Sequence, residues 1–172
     1  MRVAHPIPFS LALMALGMAV AASARDVRPG HEGSPLIQIQ FVHKEPGQGR
    51  IAAESSYLPP EDEGPFYLEE PAILADPQIQ HVQVGRGPEG EMALILKFTP
   101  EGVARLRDAT TPRVGSLIGL TLDSHLVTVT RIITPFSGQG DHLTVPLSPQ
   151  LPKEFRTAVA NEIRARWPSE GR

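Results

Sequence analysis

The segment from Met92 to Asp123 restricts the fold most strongly, because it changes from one hydrophobic periodicity to another within a short stretch. It opens on MALILKF, in which alternate residues are apolar, and this predicts a strand with one buried face. TPEG, from Thr99, then supplies a helix N-cap, a proline suited to the first helical position and an acidic first turn. A helix over 100–110 and an apolar strand to Leu122 follow, and Asp123-Ser124 forms a turn.

Apolar patterning predicts the other elements in the same way. Ile37, Ile39 and Phe41 alternate with Gln38 and Gln40, which is the period of a half-buried strand. Residues 44–64 carry glycine, proline and acidic residues without periodicity and are predicted to be a long loop. The remaining expectations are a short strand at 66–68, a turn or single helical turn at 71–77, and strands around Val82 to Val84, Val127 to Ile133 and Leu143 to Leu147.

A closing helix is predicted to start near Pro152. Phe155, Val159 and Ile163 recur every four residues, with Trp167 one turn later, so they form one apolar face. Strands outnumber helices, and the helices are too few for a parallel doubly wound sheet. We therefore predict an α+β fold: a single, mostly antiparallel (mixed) sheet of about five to six strands with two helices packed on one face.

Composition excludes several classes of protein. The chain has 18 prolines among 172 residues, which favours turns and loops over long helices. Its formal net charge is −3, whereas a nucleic-acid-binding domain is usually basic, so no nucleic-acid partner is expected. There is no cysteine, so no disulfide framework is possible and packing must hold the domain together.

The N-terminus has the three parts of a secretory signal peptide. Arg2 supplies a positive charge, residues 7–20 are almost wholly apolar, and Ala22-Ser23-Ala24 fits a small-residue cleavage site. We expect residues 1–24 to be the signal peptide and the protein to be periplasmic. The alternative is an uncleaved signal that tethers the chain to the inner membrane. The predicted divisions are a signal peptide (1–24), a flexible leader (25–35), the α+β domain (36–167) and a tail (168–172).

Several segments of the chain, in order, resemble the head subdomain of the first periplasmic domain of SecD, the protein-export membrane protein. The resemblance runs from Leu36 to about Ile163. The segments that carry it are Glu69-Glu70-Pro71-Ala72-Ile73-Leu74, Ile79 to Val84, the strand followed by Thr99-Pro100-Glu101-Gly102, and Thr110, Gly115 and Leu120-Thr121-Leu122-Asp123. The chain has Asp123-Ser124 where that family usually has Asp-Gly, and Val129-Thr130-Arg131 before Ile132 in place of Ala-Pro.

The resemblance implies a non-enzymatic, exported binding module that acts without cofactors and contacts polypeptide or an envelope protein, with a possible link to protein export. We expect a monomer without stable membrane insertion after signal cleavage. The alternative is an envelope structural or assembly subunit that self-associates through a sheet edge. A small hydrolase or a metal-binding protein is the third interpretation.

Several motifs suggest chemistry, and each has a simpler structural interpretation. Residues 85–90 match G-x-G-x-x-G, but a strand follows them, which favours a hairpin loop over a dinucleotide site. Asp123, His125 and the pair Asp141-His142 lack the spacing of known zinc motifs and lie in predicted turns. The residues of a conceivable hydrolase triad, with no G-x-S-x-G elbow around either serine, are Ser116, Ser124, His81 and Asp76.

Two charged segments are interpreted as solvated surface. The acidic segment 59–64 is predicted to be an exposed loop, or else a docking loop for a basic partner. The basic residues of the closing helix are predicted to form its solvent side or to touch an anionic membrane surface. They are Lys153, Arg156, Arg164 and Arg166. No residue is predicted to be catalytic, cofactor-binding or metal-binding.

Overall fold

The computed structural model describes residues 35–53, 58, 64–87, 90–137 and 142–168. The predicted signal peptide, almost all of the leader, most of the acidic segment and the last four residues of the tail lie outside the described residues. The strands are β1 (Ile37–His43), β2 (Arg50–Ala52), β3 (Tyr67–Glu69), β4 (Leu74–Ala75), β5 (Ile79–Arg86), β6 (Met92–Phe98), β7 (Leu117–Leu122), β8 (His125–Arg131) and β9 (His142–Pro146). The α-helices are α1 (Pro100–Thr110) and α2 (Lys153–Arg166).

The strands form two antiparallel sheets. The larger sheet has the order β2-β3-β1-β7-β8, with β4 also paired to β1, and the smaller sheet has the order β5-β6-β9. The α+β class, the antiparallel pairing and the two helices are confirmed, while the strands are divided between two sheets instead of forming one. The division arises because a 3-10 turn at Asp76–Gln78 carries the chain from β4 out of the larger sheet into β5.

The predicted strand–helix–strand segment connects the two sheets. Its first strand, β6, is the centre of the smaller sheet, and its second strand, β7, lies in the larger sheet. The predicted cap is present, since the Thr99 hydroxyl accepts a hydrogen bond from the Gly102 N–H at 3.1 Å. Gly102 is also required sterically, because a Cβ there would lie 2.5 Å from the Gln78 carbonyl oxygen. Helix α1 contacts β4 and β6, and α2 contacts β5.

The main hydrophobic core lies between the sheets and the helices. Strand β6 contributes Leu94, Leu96 and Phe98, all nearly or fully buried. The predicted apolar face of α2 is confirmed: Phe155, Val159 and Ile163 are buried in the same core, and Trp167 packs against it. Burial of these side chains stabilises the packing of α2 on the smaller sheet, and the Trp167 Nε1–H adds a hydrogen bond to the Ile79 carbonyl at 3.3 Å.

The opposite face of the larger sheet carries a second, smaller cluster, which the sequence did not predict. Val42, Leu58, Phe66, Leu68 and Leu126 form it. Leu58 lies within residues 44–64, which were predicted to be a long loop. Strand β2 lies in the same region.

One residue of the larger sheet, Gln40, differs from expectation because the second face of the sheet is covered. Gln40 was predicted to lie on the solvent side of β1, but it is 2% exposed and its Nε2 donates to the Glu69 carbonyl at 3.4 Å. Gly119 allows the close packing here, since a Cβ would lie 2.7 Å from both Leu126 and Val42.

Two predicted turns have defined conformations. Asp123 and Ser124 both have positive φ, 48° and 69°, as a two-residue hairpin loop between β7 and β8 requires. The segment 71–77 was predicted to be a turn or a helical turn, and it contains both the short strand β4 and the start of the 3-10 turn. No helix within the described residues is long and apolar enough to cross a membrane.

Candidate peptide-binding cleft

A cleft of about 650 Å³ lies where the larger and smaller sheets approach each other. Its two sides are strand β8 and strand β9, which end their respective sheets in the described part of the chain. A terminal strand presents unpaired backbone N–H and C=O groups along its outer edge. The cleft is therefore bordered by two strands that each offer backbone hydrogen-bonding groups.

The floor and one wall of the cleft are apolar. Ile39, Leu106 and Leu120 come up from the main core to form the floor. Phe136 forms part of the wall, and its ring meets the ring of Phe98 edge-on at 6.0 Å between centroids. The backbone beside the wall is held in place, because the N–H of Phe136 donates to the Thr110 hydroxyl at 3.0 Å.

A large apolar side chain is exposed at the mouth of the cleft. Ile133 lines the cleft and is 81% exposed, the highest value among the large hydrophobic residues that the structure describes as exposed. Val114, 52% exposed, lies at the same end of the β7–β8 hairpin, because the Gly115 N–H donates to the Ile132 carbonyl at 2.7 Å. Exposed apolar side chains beside an apolar cleft are typical of a protein-interaction site.

The residues of the outer strand β8 favour pairing with a further strand. Thr128, Val129 and Thr130 are partly or fully exposed residues with high β-propensity. Arg131 ends this strand, and its guanidinium donates to the Gly115 carbonyl. Backbone edges and an apolar floor suit the cleft to binding an extended chain.

The Asp and His residues that the sequence analysis weighed as metal ligands do not converge in the described structure. No cluster of three or more His, Cys, Asp or Glu residues is present within the described ranges. Asp123 and His125 flank the β7–β8 turn, where the His125 ring packs edge-on against Phe155 at 5.5 Å. His142 starts β9 opposite Lys97, and Asp141 lies outside the described residues.

The residues of the conceivable triad are dispersed. Ser116 and Ser124 lie at opposite ends of β7, and His81 lies on β5 in the other sheet. Asp76 is occupied elsewhere: its carboxylate accepts from the N–H groups of Leu36 and Ile37 at 2.9 and 2.8 Å and pairs with Arg166.

The remaining motifs have structural positions. The glycine-rich segment 85–90 connects the antiparallel strands β5 and β6, as predicted for a hairpin. Within it, the Gly90 N–H donates to the Gly87 carbonyl at 3.0 Å. Arg166 was predicted to face solvent, but it is half-buried and paired with both Asp76 and Glu162.

A charged cluster joins β1, β3 and the segment after α1 through His43, Glu69 and Arg113, and no local pattern in the sequence predicts it. The Glu69 Oε2 atom lies 2.8 Å from both His43 Nε2 and an Arg113 nitrogen. The Arg113 guanidinium also stacks over the Phe41 ring, 4.2 Å from its centroid. The hydrogen bond from Arg113 lowers the pKa of Glu69, desolvation opposes this, and His43 adds to the lowering.

This cluster predicts how acid destabilises the protein. Because the pKa of Glu69 is lower in the folded state than the ordinary value of 4.5, ionised Glu69 stabilises the fold above that value. The contribution falls as the pH drops through the folded-state pKa. We expect urea unfolding to show a stability difference between wild type and Glu69→Gln that is constant at neutral pH and shrinks below about pH 4.5.

Glu45→Gln provides the control for the Glu69 substitution. Glu45 is exposed in the loop between β1 and β2, so this variant should stay within about 0.5 kcal/mol of wild type across the same pH range. A Glu69→Gln difference that persisted undiminished at pH 3 would contradict the assignment.

The fold that positions the cleft is an α+β domain with two antiparallel sheets. No protein-family model and no curated protein sequence matches the chain. Two solved structures of SecDF resemble it in fold.

The first is described as SecDF in its super-membrane-facing form, and it has a TM-score of 0.53 and 18% sequence identity to this chain. The matched region covers 76% of this chain and 19% of the SecDF chain. The second, described as a membrane component SecDF that enhances protein export, has a TM-score of 0.53 and 17% identity over 76% of this chain and 62% of the other. The chain thus spans less than two thirds of either SecDF chain, and the likeness shows a SecD-like fold.

Proposed function

We propose that this protein is an exported, non-enzymatic domain that binds polypeptide in extended conformation in the cleft between β8 and β9. The observation that carries the proposal is the combination of two sheet edges, an apolar floor and the 81% exposed Ile133 at one mouth. An extended segment would pair its backbone with one edge and place alternate apolar side chains on the floor.

The likeness to SecDF supports an association with protein export. The name of one SecDF structure describes a membrane component that enhances protein export. A domain with that fold and a cleft suited to extended chains fits a client that is unfolded, because an unfolded segment offers free backbone groups and apolar side chains along its whole length. The periplasm is the proposed compartment, since the N-terminal sequence has the parts of a signal peptide.

Binding of a labelled peptide tests the proposal. The probe is a ten-residue peptide of alternating valine and threonine, and its control has proline at every second position, which removes backbone donors. We expect Ile133→Asp to weaken binding of the first peptide about tenfold or more, since burying one isoleucine contributes about 1.5–3 kcal/mol. Fluorescence anisotropy measures the affinity.

Ile51→Asp is the matched control variant. Ile51 is also exposed, at 45%, but it lies on β2 at the opposite edge of the larger sheet. This variant should bind the peptide like wild type. Equal weakening by both variants, or equal affinity for the proline peptide, would refute binding by strand pairing in the cleft.

The same edges favour one alternative, an envelope assembly subunit in which β8 or β9 of two copies pair. Light scattering across a wide concentration range separates the two. Client binding by a monomer predicts a constant mass, whereas edge-to-edge assembly predicts a mass that rises with concentration and falls after Ile133→Asp.

A further inference from the structure

A second depression, of about 330 Å³, lies between α2 and the smaller sheet, on the side away from β9. The helix contributes Lys153, Arg156 and Arg164, which lie on one face at helical spacing. The sheet contributes Val84 and Met92. The depression therefore combines three cationic side chains with an apolar floor, and it is separate from the cleft that the proposed function uses.

The positive charge in this depression is not neutralised within the described structure. No acidic residue lines it, and neither Lys153 nor Arg156 has a carboxylate partner in the described part of the chain. Arg164 donates to the neutral Asn161 side chain at 3.1 Å. The Nε atom of Arg156 is buried and has no hydrogen-bond partner among the described residues.

Arg166 on the same helix shows the contrast. It is paired with Asp76 and with Glu162, and these two carboxylates raise its pKa, the hydrogen bond to Glu162 having the largest effect. The helix therefore carries one arginine that holds the fold together and three cations that remain available to an outside anion.

The sheet side of the depression is suited to an apolar group. Val84 and Met92 are half-buried and pack against the main core, so their outward surfaces are partly covered already. Arg86 lies on the same side of β5 as Val84 and is exposed, and its guanidinium donates to the Gly90 carbonyl at 3.2 Å. A ligand that fills the site must be anionic at one end and apolar next to it.

We propose that this depression binds the phosphate headgroup of an anionic phospholipid, with the ester and upper acyl region resting on Val84 and Met92. A phosphate offers several oxygens to several cations at once, and arginine binds it in two-pronged geometry. A lipid phosphodiester and a peptide carboxylate both carry one negative charge, so the apolar floor beside the cations is the feature that favours the lipid, whose acyl region matches it. The site would hold the domain against an anionic membrane surface while the cleft stays free.

Vesicle co-sedimentation tests the proposal. Vesicles of phosphatidylcholine with 30% phosphatidylglycerol should bind the protein, and vesicles of phosphatidylcholine alone should not. The double variant Lys153→Gln, Arg164→Gln removes two exposed cations, so it should retain the fold. We expect it to lower the partition coefficient about 30-fold, because each basic side chain near an anionic surface contributes about 1 kcal/mol.

The control variant is Arg105→Gln, Arg107→Gln, which makes the same change in net charge on the exposed side of α1. It should bind the anionic vesicles nearly as wild type does. Equal loss in both double variants would overturn the proposal, because binding would then depend on overall charge alone. So would equal binding to both vesicle types.

Two further arms separate the sources of the anion. In the first, calorimetry measures the binding of inorganic phosphate. If phosphate saturates the site but the protein does not bind anionic vesicles, the site binds small anions and the lipid assignment is overturned. Binding of a soluble acidic peptide, again without vesicle binding, would overturn it in favour of a protein partner. Val–Thr peptide binding in the cleft should be unchanged in Lys153→Gln, Arg164→Gln, so failure of this proposal is distinguishable from failure of the proposed function.

Discussion

Phe155→Ala should lower the free energy of unfolding by about 3–5 kcal/mol, the usual cost of truncating a buried aromatic residue to alanine. Phe155 is 1% exposed, and its ring packs edge-on against His125 at the β7–β8 turn. It therefore links α2 to the larger sheet as well as to the core of the smaller one. A loss of this size is a large share of the ~5–15 kcal/mol stability of a typical domain.

Urea unfolding followed by circular dichroism measures the loss. Phe155→Leu should cost much less than Phe155→Ala, since it leaves a smaller cavity. Glu154 is exposed in the first turn of α2, next to Phe155 in the sequence. Glu154→Ala should therefore change the free energy of unfolding by no more than about 0.5 kcal/mol. A Phe155→Ala loss below about 1 kcal/mol would show that α2 does not pack in the core as described.

Asp76→Ala should cost about 3 kcal/mol, because it removes the charged acceptor to which two backbone N–H groups donate hydrogen bonds. The Asp76 carboxylate accepts from the N–H groups of Leu36 and Ile37, both residues being nearly fully buried. It also pairs with Arg166 near the end of α2. One side chain therefore connects the start of β1, the 3-10 turn and the closing helix.

Hydrogen exchange gives the specific readout for Asp76. The Leu36 and Ile37 amides should lose protection in Asp76→Ala before the rest of β1 does, while Asp76→Asn, which keeps one acceptor oxygen, should retain part of it. Asp108→Ala is the matched control, because Asp108 is exposed and pairs with the neighbouring Arg107. Unchanged protection at Leu36 and Ile37 would contradict the role of Asp76.

Local patterns were sufficient to predict most of the secondary structure. The cap at Thr99 and the helix to Thr110 appear as expected because their signals lie within a few neighbouring residues. The apolar face of α2 is equally local. The number and order of the predicted strands and helices led to the α+β class, and the two SecDF structures have a similar fold, as the order of motifs suggested.

Contacts between distant residues could not be predicted in this way. Gln40 reads as a solvent-facing residue in an alternating strand, but it is buried because a segment far along the chain covers that face. The pattern of α2 predicts that Arg166 belongs to a solvated basic face, but the Asp76 carboxylate, 90 residues away in the sequence, pairs with it. Neither partner leaves a periodic signal in the sequence.

The sequence by itself determined the elements of this protein, because helix caps, strand alternation and turn residues act over a few positions. Only the tertiary structure decided that the strands would form two sheets and that β8 and β9 would face each other across an apolar cleft. It also placed Lys153, Arg156 and Arg164 beside Val84 and Met92. The physical reason is that the burial and pairing of side chains depend on which distant segments cover them, and that is settled when the whole chain packs.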